Sequence, residues 1–145
     1  MDLNGSHKFS ANRQVVWDAL HNAAVLQGCV PGAQQMSWQG DSAIAAVVNV
    51  GVGPIKGTFN GTIQVAENSA PSRIRLVLNR SGSHGSVNAQ AVIDLADDGA
   101  GTVLSYQGNA QLTGQVAMAD NMLGKQAADM ALGSFFKCLS SKIGG

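Results

Sequence analysis

The sequence predicts an α+β fold, a curved antiparallel sheet of about seven strands wrapped around a long C-terminal helix, with two short helices after the first strand. Three observations predict it. From about residue 34 to residue 112, apolar and polar residues alternate, the period of strands with one buried face. The breaks between these runs are short: Gln39-Gly40-Asp41, Gly53-Pro54, Glu67-Asn68-Ser69-Ala70-Pro71 and Asp97-Asp98-Gly99-Ala100-Gly101. Short turns join antiparallel neighbours. From residue 116 to 143 the period becomes that of a helix. A sheet with one apolar face and a helix with a broad apolar stripe bury each other when the helix crosses the concave side.

Each element has a local reason. Residues 3–9 read as the first strand. Residues 12–20 read as a helix that Ser10 or Asn12 can cap, with Val16 and Leu20 four apart on one face. A second short helix over 23–28 is stopped by Pro31-Gly32. The six later strands are expected at 35–39, 42–52, 55–66, 73–81, 86–95 and 102–112. In the last helix, Met122, Leu123, Ala127, Met130 and Ala131 form an apolar stripe continued by Phe135, Phe136, Leu139 and Ile143. The terminal Gly144-Gly145 would suit the start of a linker in a longer chain.

Composition excludes several functions. A chain of 145 residues suits one domain, here 1–145, able to bury roughly 68–70% of its unfolded surface. Only 12% of residues are charged and 45% are hydrophobic, against about 25% charged in an average soluble domain, so the surface is less hostile to apolar partners. The net charge is zero, the pI is near 6.8, and no run of Lys or Arg offers a nucleic-acid footprint. No basic segment followed by an apolar one opens the chain, and no apolar run reaches the ~18 residues of a membrane span. A cytoplasmic protein is expected. Cys29 and Cys138 form neither a zinc pattern nor a CxxC pair; a disulfide stays open, and reduced thiols are the expectation.

The stretch NVGVGPIKGTFNGTIQV, residues 49–65, resembles a phosphate loop but has the wrong order. Such a loop needs Gly-Lys followed by Ser or Thr at the start of a helix, whereas Lys56 precedes Gly57-Thr58 and an alternating strand follows. The alternation puts Ile55, Gly57, Phe59, Gly61, Ile63 and Val65 on the inward face. Ile44, Ala46, Val48, Val50 and Val52 share it, as do Val87, Ala89, Ala91 and Ile93, and Leu104, Tyr106, Gly108, Ala110 and Leu112. Small inward residues let a sheet bend and a helix sit close, and they also leave volume for an apolar ligand. Both uses can hold together.

The candidate ligand wall is Val48, Phe59, Gly61, Leu76, Leu78 and Ala89, with Ala91, Tyr106 and Ala110. Met118, Met122 and Met130 would supply an adaptable lid, or plain core. Arg80 continues the inward register of Ile74, Leu76 and Leu78; it either reaches solvent at the strand end or holds a polar headgroup at a pocket mouth. No metal ligands are expected, because His7, His21 and His84 lack ligand spacing and read as surface or loop histidines. No catalytic residues are expected: Asp94, Asp97 and Asp98 read as turn-shaping, Cys29 sits at a helix end that does not favour a thiolate, and Tyr106 reads as a core tyrosine with one hydrogen bond. No cofactor is implied.

The order of elements resembles the START-like (SRPBCC) helix-grip superfamily. Within it, Leu3-Asn4-Gly5, Val16-Trp17-Asp18-Ala19-Leu20, Cys29-Val30-Pro31-Gly32, the run from Gly51 to Gly61 and the pair Phe135-Phe136 resemble the carbon monoxide dehydrogenase G-subunit family. The resemblance implies a non-catalytic accessory protein linked to molybdenum-type carbon monoxide dehydrogenases and related hydroxylases. Roles proposed for the family are recruitment of the enzyme to the inner face of the membrane and binding of a quinone or lipid-like molecule. Some members carry an apolar C-terminal extension that would meet the membrane; none follows Gly144-Gly145 here, so anchoring by one is not expected. Two other expectations stay open: a protein-interaction or assembly factor with no ligand, and a small START-like enzyme such as a cyclase or hydrolase.

Overall fold

Seven strands form the sheet: β1 (Asp2–Phe9), β2 (Ala33–Gln39), β3 (Ala43–Val52), β4 (Ile55–Ser69), β5 (Arg73–Gly82), β6 (Gly85–Asp98) and β7 (Gly101–Thr113). They come from a computed structural model that describes residues 1–52, 55–83 and 85–144. The order across the sheet is β1-β7-β6-β5-β4-β3-β2, antiparallel throughout. The meander expected from the short turns is thus closed on one side by the first strand, which pairs with the last from Asp2↔Asn109 to Phe9↔Thr102. The expected turn at Gly53-Pro54, together with His84 and Gly145, falls outside the described residues, as do the faces of Val52 and Ile55.

Three asparagines start the helices. Asn12 accepts from the Val15 amide at 3.0 Å and begins α1 (Arg13–Leu20). Asn22 accepts from the Ala24 and Val25 amides and begins α2 (Ala23–Cys29). Asn121 accepts from the Gly124 amide at 2.9 Å and begins α3 (Met122–Lys142). An asparagine oxygen satisfies first-turn amides that have no partner within the helix. The long helix therefore starts at residue 122 rather than 116, and Gly114–Ala119 forms a separate 3₁₀ turn.

One end of the concave side is solidly filled. Phe9, Val16, Leu20, Leu95, Leu104 and Leu139 are buried together. Buried Thr102 donates to the Ala11 carbonyl at 2.9 Å, which ties the corner between β1 and α1 to β7 without leaving a polar group unsatisfied. His7 and His21 correct the surface expectation, since both are half-buried among rings. His7 lies between Phe9 and Phe136 and contacts Ser140 Oγ at 3.0 Å. His21 is stacked between Trp17 and Trp38, 4.5 Å from each, donates from Nδ1 to the Trp17 carbonyl, and contacts Asn68 Oδ1 through Nε2. Flat amphipathic rings fill these gaps while their nitrogens keep partners.

The cysteine expectation is also corrected. Cys29 and Cys138 form a disulfide with a Cα–Cα distance of 5.4 Å. Packing of α2 beside the C-terminal half of α3 brings together residues 109 apart in sequence, which spacing alone does not reveal.

The single stripe expected along α3 divides into two faces. Phe136 and Leu139 are buried, whereas Met122 is 77% exposed, Leu123 63% and Met130 75%. Nine residues separate Met130 from Leu139, about two and a half turns, which puts them on opposite sides of the helix. Phe136 and Leu139 hold the C-terminal half of the helix, and Met122, Leu123 and Met130 turn away from the sheet.

The sheet also divides. Between β4 and β5 the ladder runs from Ser69↔Arg73 to Gln64↔Val77 and stops. The β3–β4 and β5–β6 ladders continue to Val52↔Ile55 and Gly82↔Gly85. The outer half of the β3–β4 hairpin therefore parts from β5.

Candidate functional site: an apolar cavity under the C-terminal helix

Beneath the middle of α3 a cavity of about 370 Å³ remains. Its floor includes Ile44, Ile63, Leu76, Ala91, Ile93 and Gly108. Ala131, Leu132, Phe135 and Phe136 of α3 form the roof, and Leu26, Val30, Pro31, Met36 and Trp38 close one end. Almost every atom of the wall is apolar. Ala91, Gly108 and Ala131 are the small residues of this lining. A smaller cavity of about 230 Å³ shares Leu3, Ile63, Leu76, Ala91 and Gly108 with it and extends past Leu78, Ala89 and Ala110. The two form one trough along the concave face.

The convex face carries two grooves of different character, one of about 360 Å³ and one of about 660 Å³. Arg75 lines both and Arg73 and Asp94 line the larger, and their charges are already matched. Arg73 Nε donates to Asp94 at 2.6 Å, and Arg75 lies 3.8 Å from Glu67. Asp94, which also accepts at 3.3 Å from Arg73 Nη2, braces β6 to β5 rather than shaping a turn. The concave trough is the better ligand site, because burying a guest there removes apolar surface from water without breaking polar pairs.

Tyr106 lies on the trough wall with its ring 5.4 Å from that of Phe136. Its hydroxyl passes over Gly5 of β1, where an added Cβ would come within 2.5 Å of the oxygen. Glycine at that position gives the phenol its room. The expected single hydrogen bond from this hydroxyl is not found among the described residues. Burial, and secondarily the Asp129 carboxylate, raise the Tyr106 phenol above its ordinary value.

Arg80 lies on the concave side beside the split. It donates through Nη1 to the Asn60 carbonyl and sits 5.5 Å over the Phe59 ring. A Cβ on Gly61 would lie 2.9 Å from that nitrogen, so the guanidinium uses the space the glycine leaves. Val48 pairs with Phe59 across the β3–β4 ladder.

Of the expected wall residues, the structure brings Leu76, Ala91 and Tyr106 to the main cavity and Leu78, Ala89 and Ala110 to its extension. Val48, Phe59, Gly61 and Arg80 gather at the split, outside both linings. Met122 and Met130 are on the exposed side of α3 and form no lid over the trough. Sequence reasoning missed the end wall from α2 and β2. It also left Leu132, Phe135 and Phe136 off the ligand wall, although the helical period through Leu139 carried that signal. Among the described residues there is no cluster able to hold a metal ion, and no helix long and apolar enough to cross a membrane.

A profile of the carbon monoxide dehydrogenase G-subunit (CoxG) family matches residues 5–144. The chain belongs to the CoxG family. CoxG is an accessory subunit family, and its name implies association with carbon monoxide dehydrogenase. Among solved structures, a conserved protein from Geobacillus kaustophilus is 29% identical with a TM-score of 0.86, over 99% of this chain and 95% of that one. A START superfamily protein from Mycobacterium smegmatis is 14% identical with a TM-score of 0.72, over 98% and 96%. The di-domain ARO/CYC StfQ from the steffimycin biosynthetic pathway is 8% identical with a TM-score of 0.71, over 98% of this chain and 50% of that one. The last two likenesses concern the fold alone. No curated protein matches the chain. Family and START-like fold together support a ligand-binding accessory role for this CoxG protein.

Proposed function

We propose that this CoxG protein is a non-catalytic carrier of an apolar small molecule, a quinone or lipid-like compound. It serves a molybdenum-type carbon monoxide dehydrogenase or related hydroxylase at the inner face of the membrane, in recruitment or in delivery of an electron acceptor. The observation that carries this reading is the apolar wall of the 370 Å³ cavity, a volume within the range of small-molecule sites. Burial of about 250 Å² of a guest's apolar surface is worth roughly 6 kcal/mol before association costs, enough for a carrier that must also release its cargo. Native mass spectrometry of protein purified from its host, followed by quinone titration, tests the reading. A copurified apolar molecule and saturable binding are expected; the absence of both would sink it.

A second reading rests on Met118, Met122, Leu123 and Met130, all more than half exposed on the 3₁₀ turn and α3. In this reading the protein docks on the dehydrogenase through that face without carrying a ligand. Capture of the enzyme that survives filling of the trough with Ala91→Leu, and is lost with Met122→Ser/Met130→Ser, favours it. Gly61→Leu does not serve as the filling variant, because its side chain would displace Arg80 at the split instead of entering the trough.

A further inference from the structure

We infer that Arg80 is the head-group contact of the apolar trough and that it selects an anionic amphiphile, an apolar chain ending in a carboxylate. This rests on the carrier reading above and narrows its ligand class. Arg13, Arg73 and Arg75 each have a carboxylate oxygen within 4 Å, at 3.4, 2.6 and 3.8 Å. Arg80 has none among the described residues. Its contacts there are a neutral carbonyl and an aromatic ring. A guanidinium carries five N–H donors, and one spent on the Asn60 carbonyl leaves donors for a carboxylate fork.

The position fits that role. Arg80 is the next inward residue after Leu78 on β5 and pairs with Val87. Leu78 and its partner Ala89 line the extension of the trough, so the Arg80 backbone sits one inward step, about 7 Å, beyond the apolar wall, and its guanidinium lies against Gly61, two residues from Ile63 of that wall. The β4–β5 ladder has already stopped at Gln64↔Val77, which leaves the end of the trough open between strands. Gly61 removes the side chain that would otherwise push the guanidinium aside, and the Phe59 face supports it. An apolar tail along Leu76, Ala91 and Leu78 would bring its polar end to Arg80.

Fluorescence titration with cis-parinaric acid and with its methyl ester at pH 7.5, on wild type and on Arg80→Gln, tests the assignment. The wild type is expected to bind the acid about tenfold more tightly than the ester, the scale of one partly exposed charge-assisted contact. Arg80→Gln is expected to abolish that preference, with the acid losing about tenfold and the ester far less. Equal affinity for acid and ester in the wild type, or a preference that persists in the variant, overturns the head-group role and leaves the carrier reading standing. Equal loss of acid and ester in the variant makes Arg80 a brace for the parted strands and also overturns it. Binding of neither probe by the wild type overturns the head-group role; saturable quinone binding in the same assay then leaves the carrier reading standing, and its absence removes that reading too.

Discussion

Removing the Cys29–Cys138 disulfide should cost a third or more of the stability margin. The bond closes a loop between residues 109 apart, for which the loss of unfolded-state entropy corresponds to about 5 kcal/mol. A domain of this size has roughly 5–15 kcal/mol in total, so the chain without the bond is expected to be marginal. With a urea slope of about 2 kcal/mol/M, the midpoint should fall by about 2–2.5 M. The assay is urea unfolding of oxidised wild type, of wild type under reductant, and of Cys29→Ala/Cys138→Ala. The reduced protein and the double variant should agree to within the small packing loss of replacing Cys29, which is only 4% exposed. Because α2 and α3 provide facing walls of the trough, ligand affinity should fall in the same two samples. Two titratable thiols per chain in unreduced protein, or midpoints that coincide in all three samples, would refute the reasoning.

Three further outcomes are expected. Ala91→Leu adds bulk where both cavities meet, so it should weaken ligand binding by tenfold or more while leaving the unfolding midpoint unchanged or raised, read by titration and urea unfolding in parallel. Leu139→Ala should destabilise by about 2–5 kcal/mol, since Leu139 is fully buried, whereas Met130→Ala on the opposite side of α3 should stay within about 0.5 kcal/mol, compared by thermal unfolding. Tyr106 is the sole tyrosine of the chain, so phenolate absorbance should report a titration above the ordinary tyrosine value, moved partway back by Asp129→Asn. The folded chain holds that proton more tightly, so its contribution to stability is complete below the unfolded value and is lost as pH rises through the folded one.

The sheet and its inward faces were legible because alternation is a local signal: the partners Leu78↔Ala89 and Ala89↔Ala110 have the inward parity that the pattern assigns them. Part of the trough floor was legible for the same reason, in Leu76, Ala91 and Tyr106. What the sequence hides is how elements stand relative to one another. Met122 and Met130 match a broad helical stripe, yet only the angle at which α3 crosses the sheet decides which apolar side is covered. Phe59 and Gly61 carry the inward parity, but the parting of β4 from β5 removes them from the ligand wall and makes them supports for Arg80. Cys29 and Cys138 meet because two helices pack side by side, and nothing within a few residues of either cysteine encodes that meeting. His21 looks solitary until Trp17 and Trp38 enclose it from separate elements.

The uneven attachment of α3 has a consequence for exchange of cargo. A crosslink, two buried side chains and the His7 contact fasten one end, while at the other only Gly124 is buried beside the asparagine cap. Fraying of the first turns, up to the edge of the roof at Ala131, would loosen one side of the cavity while the fastened end keeps the domain intact. Amide hydrogen exchange should accordingly run fast near Gln126 and slow near Leu139, a gradient along one continuous helix that separates turnover of the occupant from global unfolding.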